Sequence, residues 1–99
     1  MADLGGTLLA WLAWKAQTAG MTLANRDGFT PEQRFFIGGA QWACTNQRVE
    51  ERRLLALTDQ HSPDRYRVNG VFANMPEFTQ AFACKTGQPM VRETRCKVW

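Results

Sequence analysis

The chain has 99 residues, of which 44% are hydrophobic and 21% charged, and a formal net charge of +3. That length suits one small domain burying about 60–65% of its unfolded surface, and that composition excludes disordered and fibrous classes. Basic residues are scattered from Lys15 to Lys97 and interleaved with acids, as in "RVEERR" and "VRETRCK". A nucleic-acid module concentrates its Lys and Arg in a stripe, so a solvated mixed-charge surface is expected and no nucleic-acid partner. Four Trp and six Phe stand against one Tyr, and rings in that number need a thick core or a partner surface.

The first element, "MADLGGTLLAWLAWKAQTAGM", reads as a helix ending near Gly20, a natural C-terminal cap. Leu8, Leu9, Leu12 and Ala16 recur at helical spacing, and Trp11 and Trp14 widen the stripe until much of the girth is apolar, the pattern of an interior helix. "LLAWLAW" is broken by Lys15 and falls short of the roughly 20 residues that span a bilayer. No basic n-region precedes it as in a secretory signal. "NRDGF" is a turn built on Asp27-Gly28. In "TPEQRFFIGGAQWAC", Thr30 is an N-cap, Pro31 the first helical residue and Gln33 the partner in a capping box. Phe36, Ala40 and Ala43 share one side, flanked by Phe35 and Trp42. Gly38-Gly39 costs about 1 kcal/mol per glycine relative to alanine and permits close approach of another helix or, less expectedly, a ligand.

"VEERRLLALTD" carries a third helix with Leu54, Leu55 and Leu57 inward. "HSPDRYRVNGVF" loses helical period, and Tyr66, Val68 and Val71 suggest a short extended run after Pro63. Asn74 is expected to cap "MPEFTQAF", with Glu77 at the capping-box position and Phe78, Ala81 and Phe82 on its apolar face. The tail "CKTGQPMVRETRCKVW" is turn-rich. No repeat, linker or low-complexity segment divides residues 1-99, which form one unit. The class is mainly α with irregular connections and at most a short extended segment.

Cys44, Cys84 and Cys96 are widely spaced, so no close pair nucleates a zinc knuckle or a redox motif. Three Cys and one His formally complete a tetrahedral site, but cysteines whose partners lie on another piece of chain fit as well, and imply an oxidising compartment. The single histidine, His61, lies in "TDQHSPDRYRVNG", and histidine is the side chain type most often used for acid–base and donor roles. Asp59, two residues earlier, points the same way in an extended backbone and can orient the ring. Arg67, six residues on, offers fixed donors suited to a carbonyl or carboxylate. Together they form a clamp on developing negative charge. Taken alone, a loop His with a nearby Asp and Arg is more often structural, and neither a G-x-S-x-G motif nor a phosphate-binding glycine loop accompanies it.

Three blocks in this order, "FTPEQRFFIGGAQWAC", "LTDQHSPDRYRVNGVFANMPEFTQAFAC" and the terminal "CKVW", resemble the end of the neprilysin family of zinc metallopeptidases. The resemblance runs almost continuously from Phe29 to Trp99 and more loosely over "ADLGG". It implies the C-terminal helical part of a thermolysin-like zincin catalytic domain that hydrolyses peptide bonds in oligopeptides with one zinc ion. The family's HExxH motif supplies two zinc ligands and the general base, and it is not found in these residues. The third ligand, a glutamate four residues before the aspartate matching Asp3, would precede Met1. No direct metal ligand is therefore expected in this chain, which reads as a piece cut just after the last of them and inactive alone.

Carried over by position, Asp3 orients a zinc-bound histidine, which typically matters about 10–100-fold. His61 donates to the oxyanion of the tetrahedral intermediate, and Arg67 holds a substrate carbonyl. Cys44, Cys84 and Cys96 match family cysteines whose disulfide partners lie upstream, which explains the odd count. Where the family often has an apolar residue followed by Trp, this chain has Trp42-Ala43, which leaves the primed-side pocket shape open. The resemblance also implies an extracytoplasmic location (secreted, periplasmic or a membrane-anchored ectodomain), with peptides and the remainder of the same enzyme as partners and no membrane contact from this segment. The competing reading is a small α-helical interaction module in which His61 is structural and the apolar first helix with its Trp residues meets a partner.

Overall fold

The computed structural model describes residues 1–98. Five α-helices follow one another: α1 Ala2–Gln17, α2 Pro31–Ala40, α3 Val49–Thr58, α4 Asp64–Phe72 and α5 Pro76–Ala81, with a 3-10 turn over Gln41–Ala43. There is no strand among the described residues, only an isolated bridge between Arg26 and Phe29. The mainly α class is therefore found, without an extended segment.

The local signals that name a mechanism are the ones the backbone follows. The Thr30 hydroxyl accepts from the Gln33 N–H at 3.2 Å, and the Gln33 side chain accepts from the Thr30 N–H at 3.0 Å, closing the capping box with Pro31 just inside. Asp27 (φ 53) and Gly28 (φ 79) both take left-handed conformations. Their turn lets Arg26 and Phe29 exchange backbone hydrogen bonds of 3.0 and 2.9 Å, the pairing that a tight primed turn gives. Helix α1 stops at Gln17, slightly before the expected end, and Gly20 adopts φ 76 beyond it.

A single aromatic cluster ties α1, α2, α4 and α5 together. Phe36 is 1% exposed and lies at its hub. Its ring is stacked on Trp11 at 5.2 Å, edge-on to Phe72 at 5.2 Å and to Phe78 at 5.3 Å, and tilted to Phe82 at 6.5 Å. Offset and edge-to-face pairs of this kind add about 0.5–1.5 kcal/mol each beyond the area they bury. Leu4, Val68, Val71 and Met75 complete the core, with Met90 and Val98 of the tail packed against it. A Cβ on Gly39 would meet Phe72 at 3.5 Å, whereas one on Gly38 would meet nothing within 4 Å, so of the glycine pair only Gly39 faces another helix.

Four local expectations are corrected. The segment around Tyr66 is helix rather than extended. Pro63 sits outside α4 with ψ 145 and forbids helix only before itself, and Val68, Val71 and Phe72 are buried at i, i+3 and i+4. Met75, not Asn74, precedes α5 as its N-cap. The Asn74 amide instead donates to the Gly70 carbonyl at 2.6 Å and accepts from the Cys96 N–H at 2.8 Å, pinning the tail to the end of α4. Leu54 and Leu57 of α3 do not point inward: they are 60% and 87% exposed, and α3 buries no residue. Nor is α1 interior all round, because Leu9 and Leu12 are exposed opposite the buried Leu4 and Trp11.

The radius of gyration is 15.2 Å, against about 13 Å for a compact domain of this length. The helices therefore form an elongated body, 47 × 30 × 25 Å.

A candidate active-site cluster around Arg67

Helix α1 places Asp3 in its first turn, where a carboxylate favours the positive end of the helix. Helix α4 packs against α1 and presents Arg67 to it. The Arg67 Nε donates to Asp3 Oδ2 at 2.8 Å and Nη2 donates to Asp3 Oδ1 at 2.8 Å. This two-bond fork fixes orientation as well as distance. The 3-10 turn brings Trp42 against the same guanidinium, 4.7 Å from ring centroid to Cζ, a cation–π contact that covers one of its faces. Arg67 is thus held on an edge and on a face by two different elements.

A guanidinium carries five N–H donors, and Asp3 takes two of them. The remaining donors face away from Asp3 and are available to a carbonyl or carboxylate. A cavity of about 450 Å³, lined by Asp3, Thr7, Gly39, Trp42, Arg67 and Phe72 among others, opens beside them. The hydrogen bonds from Arg67 hold the Asp3 carboxyl below the usual carboxylate range, against the opposing effect of partial burial, with a smaller contribution from the charge of His61. The same bonds push Arg67 further up.

His61 and Asp59 lie in the exposed connection between α3 and α4. The Asp59 Oδ1 accepts from the His61 backbone N–H at 2.9 Å and stands 2.9 Å from Nδ1 of the ring. Because a carboxylate only accepts, Nδ1 carries the proton in that contact and Nε2 points elsewhere. The His61 backbone and side-chain hydrogen bonds lower the Asp59 pKa, with Arg67 adding a weaker pull. Asp3 with Arg67 and Asp59 with His61 are thus two separate hydrogen-bonded pairs, and His61 is not among the residues lining the cavity beside Arg67.

Cys44, Cys84 and Cys96 are not bonded to one another. Among the described residues, no three or more His, Cys, Asp and Glu side chains converge as a metal site would need. None of the described helices is long and apolar enough to cross a membrane. Two features of the cluster were not read from the chain. The Asp3–Arg67 fork joins residues 64 apart, and the Trp42 cover joins its 3-10 turn to α4. Neither leaves a spacing signal, because both depend on helix packing.

The model of peptidase family M13 matches residues 1–98. The chain is 43% identical to neprilysin-1 of Caenorhabditis elegans over 100% of its own length and 14% of that protein. It is 36% identical to endothelin-converting enzyme 1 of Rattus norvegicus over 100% of its length and 13% of that protein. Its fold superposes on the cryo-EM structure of the zinc metalloprotease Zmp1 of Mycobacterium tuberculosis in an open state. The TM-score there is 0.90 at 35% identity, covering 98% of this chain and 15% of the other. The chain thus spans about one seventh of the relatives it matches. With a family model matched over nearly its whole length, the chain belongs to peptidase family M13, the family of the neprilysins and endothelin-converting enzymes.

Proposed function

We propose that this chain is the C-terminal part of the catalytic domain of a zinc-dependent endopeptidase that hydrolyses peptide bonds in oligopeptides. The observation that carries this reading is the double restraint on Arg67, by Asp3 and Trp42, at the wall of a cavity. A preorganised guanidinium of this kind holds a substrate carbonyl with little further ordering cost. His61, oriented by Asp59, supplies a donor to the oxyanion that develops at the scissile carbon. Its Nε2 can donate to that oxygen only as the doubly protonated ring, so the proposed role is that of an imidazolium.

The zinc ligands and the HExxH general base belong to sequence outside this chain. Zinc, when bound, polarises the scissile carbonyl and activates a water. Asp3 fits an orienting role towards a ligand histidine, because its carboxylate keeps lone pairs beyond the two spent on Arg67. The remainder of the enzyme would cover Leu9, Leu12, Leu54 and Leu57 and supply disulfide partners to Cys44, Cys84 and Cys96, on the extracytoplasmic side of a membrane or in secreted form.

The test is His61→Ala in the full-length protein. Turnover of a model peptide is expected to fall by about 10²–10³, with zinc content by metal analysis unchanged. Undiminished turnover would remove His61 from the mechanism.

A further inference from the structure

We propose that the cleft between α3 and α4 is a carboxylate subsite that binds an acidic side chain of the peptide held by Arg67. The proposal rests on the peptidase reading above and adds a substrate class to it. The cleft is a cavity of about 580 Å³ whose charged lining is Arg52, Arg53, Arg65 and Asp64. In sequence the acids and bases of "RVEERR" alternate and look mutually neutralised. The helix sorts them. Val49, Arg52, Arg53 and Ala56 recur at i, i+3, i+4 and i+7 and all line the cleft, whereas Glu50 and Glu51 do not.

The positive charge is not spent internally. The ion pairs found among the described residues join Lys15 to Glu32, His61 to Asp59 and Arg67 to Asp3, and none involves the three cleft arginines. The one acid in the lining, Asp64, accepts a hydrogen bond of 3.0 Å from the Thr45 hydroxyl and keeps its charge, so three arginines against one aspartate leave the lining formally positive. Three forked guanidinium groups around one cavity match a carboxylate better than any neutral group.

The cleft adjoins the Arg67 cluster through shared residues. Tyr66 lines both the cleft and a cavity of about 190 Å³ that Arg67 also lines. Ala43 on the cleft wall follows Trp42, which covers Arg67. The 450 Å³ cavity beside Arg67 and the cleft share no lining residue, and the consecutive Trp42 and Ala43 stand between them, so a peptide with a carbonyl on Arg67 reaches the cleft by extending past these two. Exposed charge pairs are individually weak, about 1.4–5-fold each, so the three together set a preference of about tenfold, screened by salt.

The experiment compares kcat/KM of the full-length protein on a peptide pair that differs only by glutamate against glutamine near the cleavage site. In the triple variant Arg52→Ala, Arg53→Ala, Arg65→Ala, the glutamate-to-glutamine ratio is expected to fall about tenfold. The corresponding arginine-to-glutamate variant should prefer a lysine peptide, which separates lost recognition from lost folding. An unchanged ratio in an active variant overturns the subsite and leaves the peptidase reading standing. If the wild-type protein cleaves neither peptide, the peptidase reading fails instead, and binding of the fluorescein-labelled glutamate peptide decides the subsite. Salt-sensitive, arginine-dependent binding supports it, and binding indifferent to the three arginines, or none, overturns it.

Discussion

Helices α1, α2, α4 and α5 meet in one aromatic core around Phe36, whereas α3 carries three leucines and buries none of its residues. The two regions have similar apolar content and opposite fates. In the core region each ring finds several others within 4.8–6.5 Å, so burial is cooperative. On α3, Leu54 and Leu57 find no facing element and stay exposed. An apolar stripe thus states a requirement for a partner, and only the arrangement of neighbours says whether this chain supplies it. The arginines of α3 follow the same logic, since it is their placement on one face, not their number, that leaves charge unspent.

Substitutions test that contrast most sharply where it is strongest. Phe36→Ala removes the hub of the core and is expected to destabilise the chain by about 3–5 kcal/mol, the range for deleting a buried aromatic ring. Total stability of a small domain is about 5–15 kcal/mol, so chemical denaturation should show a transition close to collapse. A loss below 1 kcal/mol would mean that the aromatic cluster is not the cooperative unit.

Asp3→Asn probes the fork that ties α1 to α4, with an expected fall in Tm of about 3 °C at neutral pH. Its pH dependence has a definite sign. Arg67 lowers the Asp3 pKa in the folded chain, so the unfolded chain holds the proton more tightly. The contribution is complete above the ordinary aspartate pKa of about 3.9 and is lost as pH falls through the lower folded-state value. Thermal melts should therefore show the gap between wild type and variant closing below about pH 4. A gap that persists there would assign the effect to something other than the ion pair.

The smallest effect is expected on α3. Leu57→Ser changes a side chain that is 87% exposed, and surface substitutions of this kind stay within about 0.5 kcal/mol. Comparing that value in the 99-residue chain and in the full-length protein sharpens the point. If the remainder of the enzyme covers α3, the cost rises only in the full-length protein. Equal, negligible costs in both would leave α3 a solvent-facing helix.

Much of the secondary structure was legible because its signals are local. The capping box of Thr30 and Gln33, the Asp27-Gly28 turn and the aromatic spacing on α2 each involve residues a few positions apart. The misread stretch was α4, where a proline and a weak alternation at Tyr66 and Val68 outweighed the i, i+3, i+4 burial of Val68, Val71 and Phe72. Asn74 looked like a cap because Asn commonly is one, but the tail took both its hydrogen-bonding groups.

For the candidate site, the chain by itself determined which groups could carry chemistry: one histidine with an aspartate two residues away, and an arginine six residues on. Family membership was also written there, in ordered blocks from Phe29 to Trp99 and now in a match over residues 1–98. Only the tertiary structure decided that Asp3 meets Arg67, that Trp42 covers it, and that Arg52, Arg53 and Arg65 share one cleft. The reason is physical: caps and turns are set by hydrogen bonds between near neighbours, whereas ion pairs between helices exist only once packing has fixed which faces meet.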